Sequence, residues 1–135
     1  QKVNDATVAG IDANKNFIRD DVELVIFAKY PNSAKIRAAE LQYAQALQLE
    51  LTQVFDSGTL VATIGKEDLA YNCLGVSGPD RSLSTVNRLE KEIKDIVLNT
   101  EIRVKKQLDD LKKYMTTYSL PSGQPCDISP SSLSN

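Results

Sequence analysis

An all-α fold is what this sequence predicts: an elongated antiparallel helical bundle of three long helices plus one short helix, with a disulfide-tethered C-terminal tail. Three observations point there. Apolar residues recur at helical spacing in three long stretches, about 5–29, 34–55 and 82–118. The last of these contains neither Gly nor Pro. Only Leu60, Ala62 and Ile64 alternate like a strand, and no partner strand occurs elsewhere in the chain.

Each element has its own signals. In the first helix Ile11, Ile18, Val22, Val25 and Ile26 recur at helical spacing behind Asp5 as a cap, although Gly10 weakens its first turns. Pro31 in "YPNS" bars continuation, and Asn32 or Ser33 can cap the next helix. That second helix, from about Ala34 to Phe55, carries Ile36, Tyr43, Leu47 and Val54 on one stripe and Leu41, Leu51 and Phe55 on an adjacent one. So wide an apolar face suits a central helix touched on two sides. "DSGTLVATIG" reads as a loop or short helical turn, and "KEDLAYNCLG" as a short helix closed by Gly75. From Ser82 to about Tyr118 one stripe runs through Leu89, Ile93, Val97, Thr100, Val104, Leu108, Leu111, Met115 and Tyr118. Glu90 with Lys94, Glu101 with Lys105, and Asp109 with Lys113 add acid-first i,i+4 pairs. As one helix this would be roughly 50 Å long, longer than a compact domain of this size is wide. The bundle domain is expected over residues 1–120, with a Pro/Ser-rich tail over 121–135.

Composition narrows the function. The chain has 135 residues and 41% apolar side chains, enough to bury a core in one domain. Its net charge of −2 divides unevenly: residues 1–80 hold seven bases and eleven acids, and residues 81–113 hold nine bases and six acids. With no basic excess and few aromatics to stack bases, a nucleic-acid partner is not expected. The longest apolar run, Leu24 to Ala28, is far short of the ~20 residues that span a bilayer. The chain begins at Gln1, which fits a fragment boundary or removal of a signal peptide.

Two cysteines and no histidine leave too few ligands for a structural zinc site and no imidazole to activate a thiol. Cys73 and Cys126 are then either unrelated thiols of a cytosolic protein or a disulfide of an exported one. Pairing is the expectation, because Cys126 lies among Pro121, Pro125 and Pro130 in a segment with little means of ordering itself. On the loop-entropy model such a bridge contributes about 4 kcal/mol. No Asn-x-Ser/Thr acceptor occurs, so a bacterial periplasmic or secreted setting is the economical reading.

One string resembles a metal-binding loop. "DANKNFIRDDVE" places Asp12, Asn14, Asn16, Asp20 and Glu23 at positions 1, 3, 5, 9 and 12 of an EF-hand-like calcium loop. Position 6, where the loop turns with φ > 0, should be Gly and is Phe17. No second loop accompanies it, and the segment before Asp12 is too polar for an entering helix. The alternative places Asp12, Asn16, Asp20 and Glu23 along the wet side of the first helix, and on that reading no specific calcium binding, and no cofactor, is expected.

There is no phosphate-cradling glycine loop, nucleophile elbow or metal-ligand cluster, and no spacing rule picks two of the eighteen acids to face each other across a cleft, so an enzyme is not expected. The functional expectation is a non-enzymatic protein-binding module of the bacterial envelope, such as an inhibitor, immunity factor or accessory subunit. This general description is shared by several kinds of bacterial inhibitor and immunity protein. The partner would be another protein, met at the far end of the long helix through Leu111, Lys112, Lys113, Tyr114, Met115 and Tyr118. Equally, these residues finish the bundle core or form a homodimer seam.

Overall fold

The computed structural model describes residues 1–134. Among them all regular structure is helical: α1 (Lys2–Asp5), α2 (Asp20–Lys29), α3 (Ala34–Gln53), α4 (Ser57–Ser77), α5 (Leu83–Val97), α6 (Glu101–Tyr114) and a 3-10 turn, Pro130–Ser132. Cys73 and Cys126 form a disulfide. No helix among the described residues is long and apolar enough to cross a membrane.

The central helix is α3. Ser33 caps it by accepting the Ile36 N–H, and its buried residues Ala39, Tyr43, Ala44, Leu47 and Leu51 face two neighbours. α3 packs most extensively on α4 and next on α5. Leu47 and Ile93 at the middle of this packing are fully buried. Each such side chain contributes about 1.5–3 kcal/mol relative to exposure.

Three expectations are corrected. First, "DSGTLVATIG" and "KEDLAYNCLG" form one continuous helix, α4. Asp56 starts it with a capping box, accepting the Thr59 N–H while Thr59 reaches back to the Asp56 N–H. Leu60, Thr63 and Ile64 are its buried side chains there, a helical spacing in what reads as alternation.

Second, the stretch 82–118 is two helices, α5 and α6, parted at Leu98 to Thr100. Thr100 caps α6 by accepting the Arg103 N–H. The last carbonyls of α5 are satisfied from far away in sequence, because Arg19 donates to Val97 O at 2.8 Å and to Ile96 O at 3.3 Å. A charged side chain thus ends a helix that contains no breaking residue.

Third, helix does not begin at Asp5: between α1 and α2 the chain runs as a loop over residues 6–19. Gly10 belongs to that loop with φ +64°, and a Cβ there would lie 2.4 Å from Arg19 Cδ and 2.9 Å from Arg103 Nη2. Only glycine suits this position. Arg103, fully buried like Arg19, holds the N-terminal segment by donating to the carbonyls of Asn4, Thr7 and Val8 and to the Asp5 carboxylate.

The tail is ordered by more than its disulfide. Gln42 donates to Pro125 O at 2.7 Å and accepts the Asp127 N–H at 2.9 Å, gripping the backbone on both sides of Cys126.

Candidate metal centre

The loop ahead of α2 gathers the oxygen-bearing side chains of the calcium-like string. Carboxylate oxygens of Asp12, Asp20 and Glu23 lie within 4.8 Å of one another, and all three residues are half-buried. Asp20 and Glu23 come from the first turn of α2, where unpaired backbone N–H groups favour negative charge. Asp12 arrives from the loop and shapes it, accepting the Phe17 N–H at 2.8 Å and the Asn16 N–H at 3.2 Å. Asp20 accepts the Ala13 N–H at 3.2 Å, which closes the loop onto the helix.

The expectation that these side chains line the wet side of a first helix does not hold, since Asp12, Asn14 and Asn16 are not helical. The chain turns at the position where the calcium-loop pattern calls for glycine: Phe17 has φ 62°, and Lys15 before it φ 57°. A left-handed phenylalanine costs roughly 1–2 kcal/mol. Its neighbours over-determine it, because Ile18 is buried in the main core and Arg19 is anchored on α5. From beneath, Gln45 of α3 donates to Asn16 O at 2.9 Å and Gln48 to Ala9 O at 2.8 Å.

Asn14 and Asn16 direct their amide nitrogens at Glu23 Oε1, at 3.5 and 3.0 Å. Their carbonyl oxygens face the loop backbone, Asn14 Oδ1 accepting the Asn16 N–H at 3.4 Å and Asn16 Oδ1 the Ile18 N–H at 2.9 Å. The donor set is five oxygen-bearing side chains with no sulfur or imidazole, which suits a hard cation such as Ca²⁺ and not zinc. Asp21, next in sequence to Asp20, faces elsewhere: burial pushes its carboxyl up, but the Arg19 hydrogen bond and charge outweigh this and hold it below the usual value.

The residues expected to form a surface at the far end of the long helix divide between half-buried and exposed. Leu111, Tyr114 and Tyr118 pack against Val54, Leu60 and Ile64 in a second, smaller core. Met115, Lys112 and Lys113 remain exposed, with the Lys113 ammonium over the Tyr114 ring at 5.2 Å. The uncovered apolar face lies earlier on α6, where Val104 and Leu108 line a shallow groove of about 530 Å³ with Lys105 and Lys112.

Two sets of buried polar residues escape the sequence reading. One is the pair Arg19 and Arg103 with Asn99, whose Oδ1 accepts from both guanidinium groups. The other is Glu40 and Glu50, buried on the same stripe of α3 as Tyr43 and Leu47. A signal for the second set exists, since acids at core spacing in an otherwise apolar stripe are unusual.

No protein-family model, curated protein or solved structure matches this chain.

Proposed function

We propose that this chain is a non-enzymatic calcium-binding helical protein whose loop Asp12–Glu23 holds one cation ahead of α2. The observation that carries the reading is the convergence of the Asp12, Asp20 and Glu23 carboxylates at calcium-loop positions 1, 9 and 12, with a left-handed residue at position 6. Asn14 and Asn16 add the side-chain oxygens of positions 3 and 5, and the Ile18 carbonyl stands at position 7. A cation here offsets the mutual repulsion of three carboxylates and ties the loop to α2. A single loop with a bulky residue at its turn suits the weak range of extracellular modules, about 10⁻⁴ to 10⁻³ M. Such an affinity fits a periplasmic or secreted protein, which the disulfide also favours. Calorimetric titration of the full chain with CaCl₂ and, separately, MgCl₂ tests it. One saturable calcium site lost in Asp12→Ala is expected; heats that are absent, or unchanged in that variant, would refute the assignment.

A second reading is a protein-binding module of the bacterial envelope, acting as an inhibitor, immunity factor or accessory subunit. It is supported by the exposed Val104 and Leu108 face of α6, flanked by Lys105 and Lys112. Short connections between α3, α4 and α5 favour an antiparallel arrangement in which this face stays uncovered, available to another protein or to a second copy of the chain. Sedimentation velocity of wild type and Leu108→Asp separates the two occupants: a dimer abolished by the substitution means a homodimer seam, and a monomer throughout leaves a different protein.

A further inference from the structure

We infer that the seam of α3 with α4 and α5 is a proton-operated latch: Glu40 and Glu67 sit in the closed bundle as neutral acids, and losing their protons loosens α4 and α5 on α3. The geometry is related at two places, with Glu40 fully buried and Glu67 half-buried. Glu40 on α3 is fully buried, and neither of its carboxyl oxygens meets a donor. The donors nearby go instead to Glu92 of α5: Lys29 and the Tyr30 hydroxyl from α2 and its end, and Arg88 at 3.8 Å from the preceding turn of α5. Further along α3, Glu50 is buried and accepts a 3.3 Å bond from Gln107 of α6. Glu67 of α4 shares this site, with its Oε1 closed off from solvent and unpartnered. Here again an α5 glutamate takes the donors, for Glu90 accepts the Tyr43 hydroxyl at 3.0 Å and pairs with Lys94 at 3.4 Å. Asp68 adds a further negative charge near Glu67.

A buried carboxylate with neither a donor nor a counter-ion is unstable as an anion, whereas its neutral acid can donate to a neighbouring carboxylate. Burial, reinforced by Glu92, pushes the Glu40 carboxyl up to about 8. Burial and the Glu50 carboxyl raise Glu67 as well. The folded state therefore holds protons that the unfolded chain releases near pH 4.5, and stability falls as pH rises from there, through about 8 for Glu40 and beyond it for Glu67. The chain has no histidine, so no imidazole overlies this window.

Urea denaturation of the full chain at half-unit steps from pH 5 to pH 8.5 tests the latch. The folding equilibrium constant is expected to fall by at least roughly five-hundredfold across the range, the part due to Glu40 alone. In Glu40→Gln with Glu67→Gln the fall should be reduced to under threefold, with the double variant more stable than wild type at pH 8. A pH-independent wild type, or a double variant with the full wild-type slope, would overturn the proposal. Should the double variant not fold, carbon NMR of the glutamate carboxyl groups in the wild type decides: two resonances titrating well above the rest support the latch, and all titrating near 4.5 exclude it.

Discussion

At the junction of the N-terminal segment with α5 and α6, two guanidinium groups are fully buried and every nitrogen of both finds an oxygen; along α3, Glu40 is just as buried and finds no donor. The contrast stems from what each group can do. An arginine cannot shed its proton in a protein, so burial obliges the fold to supply acceptors, here the carbonyls freed where α5 ends and the N-terminal segment turns. A glutamic acid escapes its charge by keeping a proton, so the seam tolerates it without a counter-ion. One region is fixed by complete pairing at any ordinary pH, and the other by a proton that solution conditions can remove.

Removing the partners should break the first region most severely. Arg103→Met leaves the carbonyls of Asn4, Thr7 and Val8 without their donor, and a loss of about 3–5 kcal/mol in urea denaturation is expected. Glu40→Gln, of nearly the same shape and without charge, should by contrast raise stability at pH 8. A similar large loss in both variants would erase the distinction. Next in size, Gly10→Ala drives a methyl group into Arg19 and Arg103 at a left-handed position, for an expected loss of about 2 kcal/mol.

A gain is expected at the neighbouring loop, where Phe17→Gly relieves the left-handed phenylalanine. Thermal and urea unfolding should show roughly 1 kcal/mol of added stability, accompanied by tighter calcium binding. The smallest effect separates the regions by the sign of their pH response. Because Arg19 holds the Asp21 carboxyl below its ordinary 3.8, the junction's contribution is present above that value and lost as pH falls through the lowered one. Asp21→Asn should flatten this acid limb and leave the decline between pH 5 and 8 unchanged, which acid and neutral denaturation series would show.

Legibility in the sequence tracks the range of the interactions. α3 reads clearly because its signals are local: Pro31 and Ser33 at the start, then apolar stripes at helical spacing. α4 is obscured by Gly58, Gly65 and Gly75, which weaken helix propensity, and its strength lies in the Asp56 and Thr59 cap and in packing on α3. The end of α5 is hidden for the opposite reason. Its apolar stripe continues unbroken, and the carbonyls are received by Arg19, distant in the chain. The first helix is over-read because Ile11 and Ile18 keep a helical spacing with Val22 by coincidence, while Ile11 is in fact exposed on a loop. The metal-like oxygens are legible by spacing alone. Phe17 in the left-handed region is not, because tertiary anchoring through Ile18 and Arg19 overrides its local preference.

The most direct test of the central claim, that Asp12 to Glu23 is a cation loop, is an amide NMR titration of the full chain with calcium. Saturable shifts concentrated in residues 12–23 and largest at the Phe17 turn are expected, with α5 and the buried α3 seam unmoved. Small, non-saturating shifts scattered over acidic residues throughout the chain, or the same response from Asp12→Ala, would contradict it.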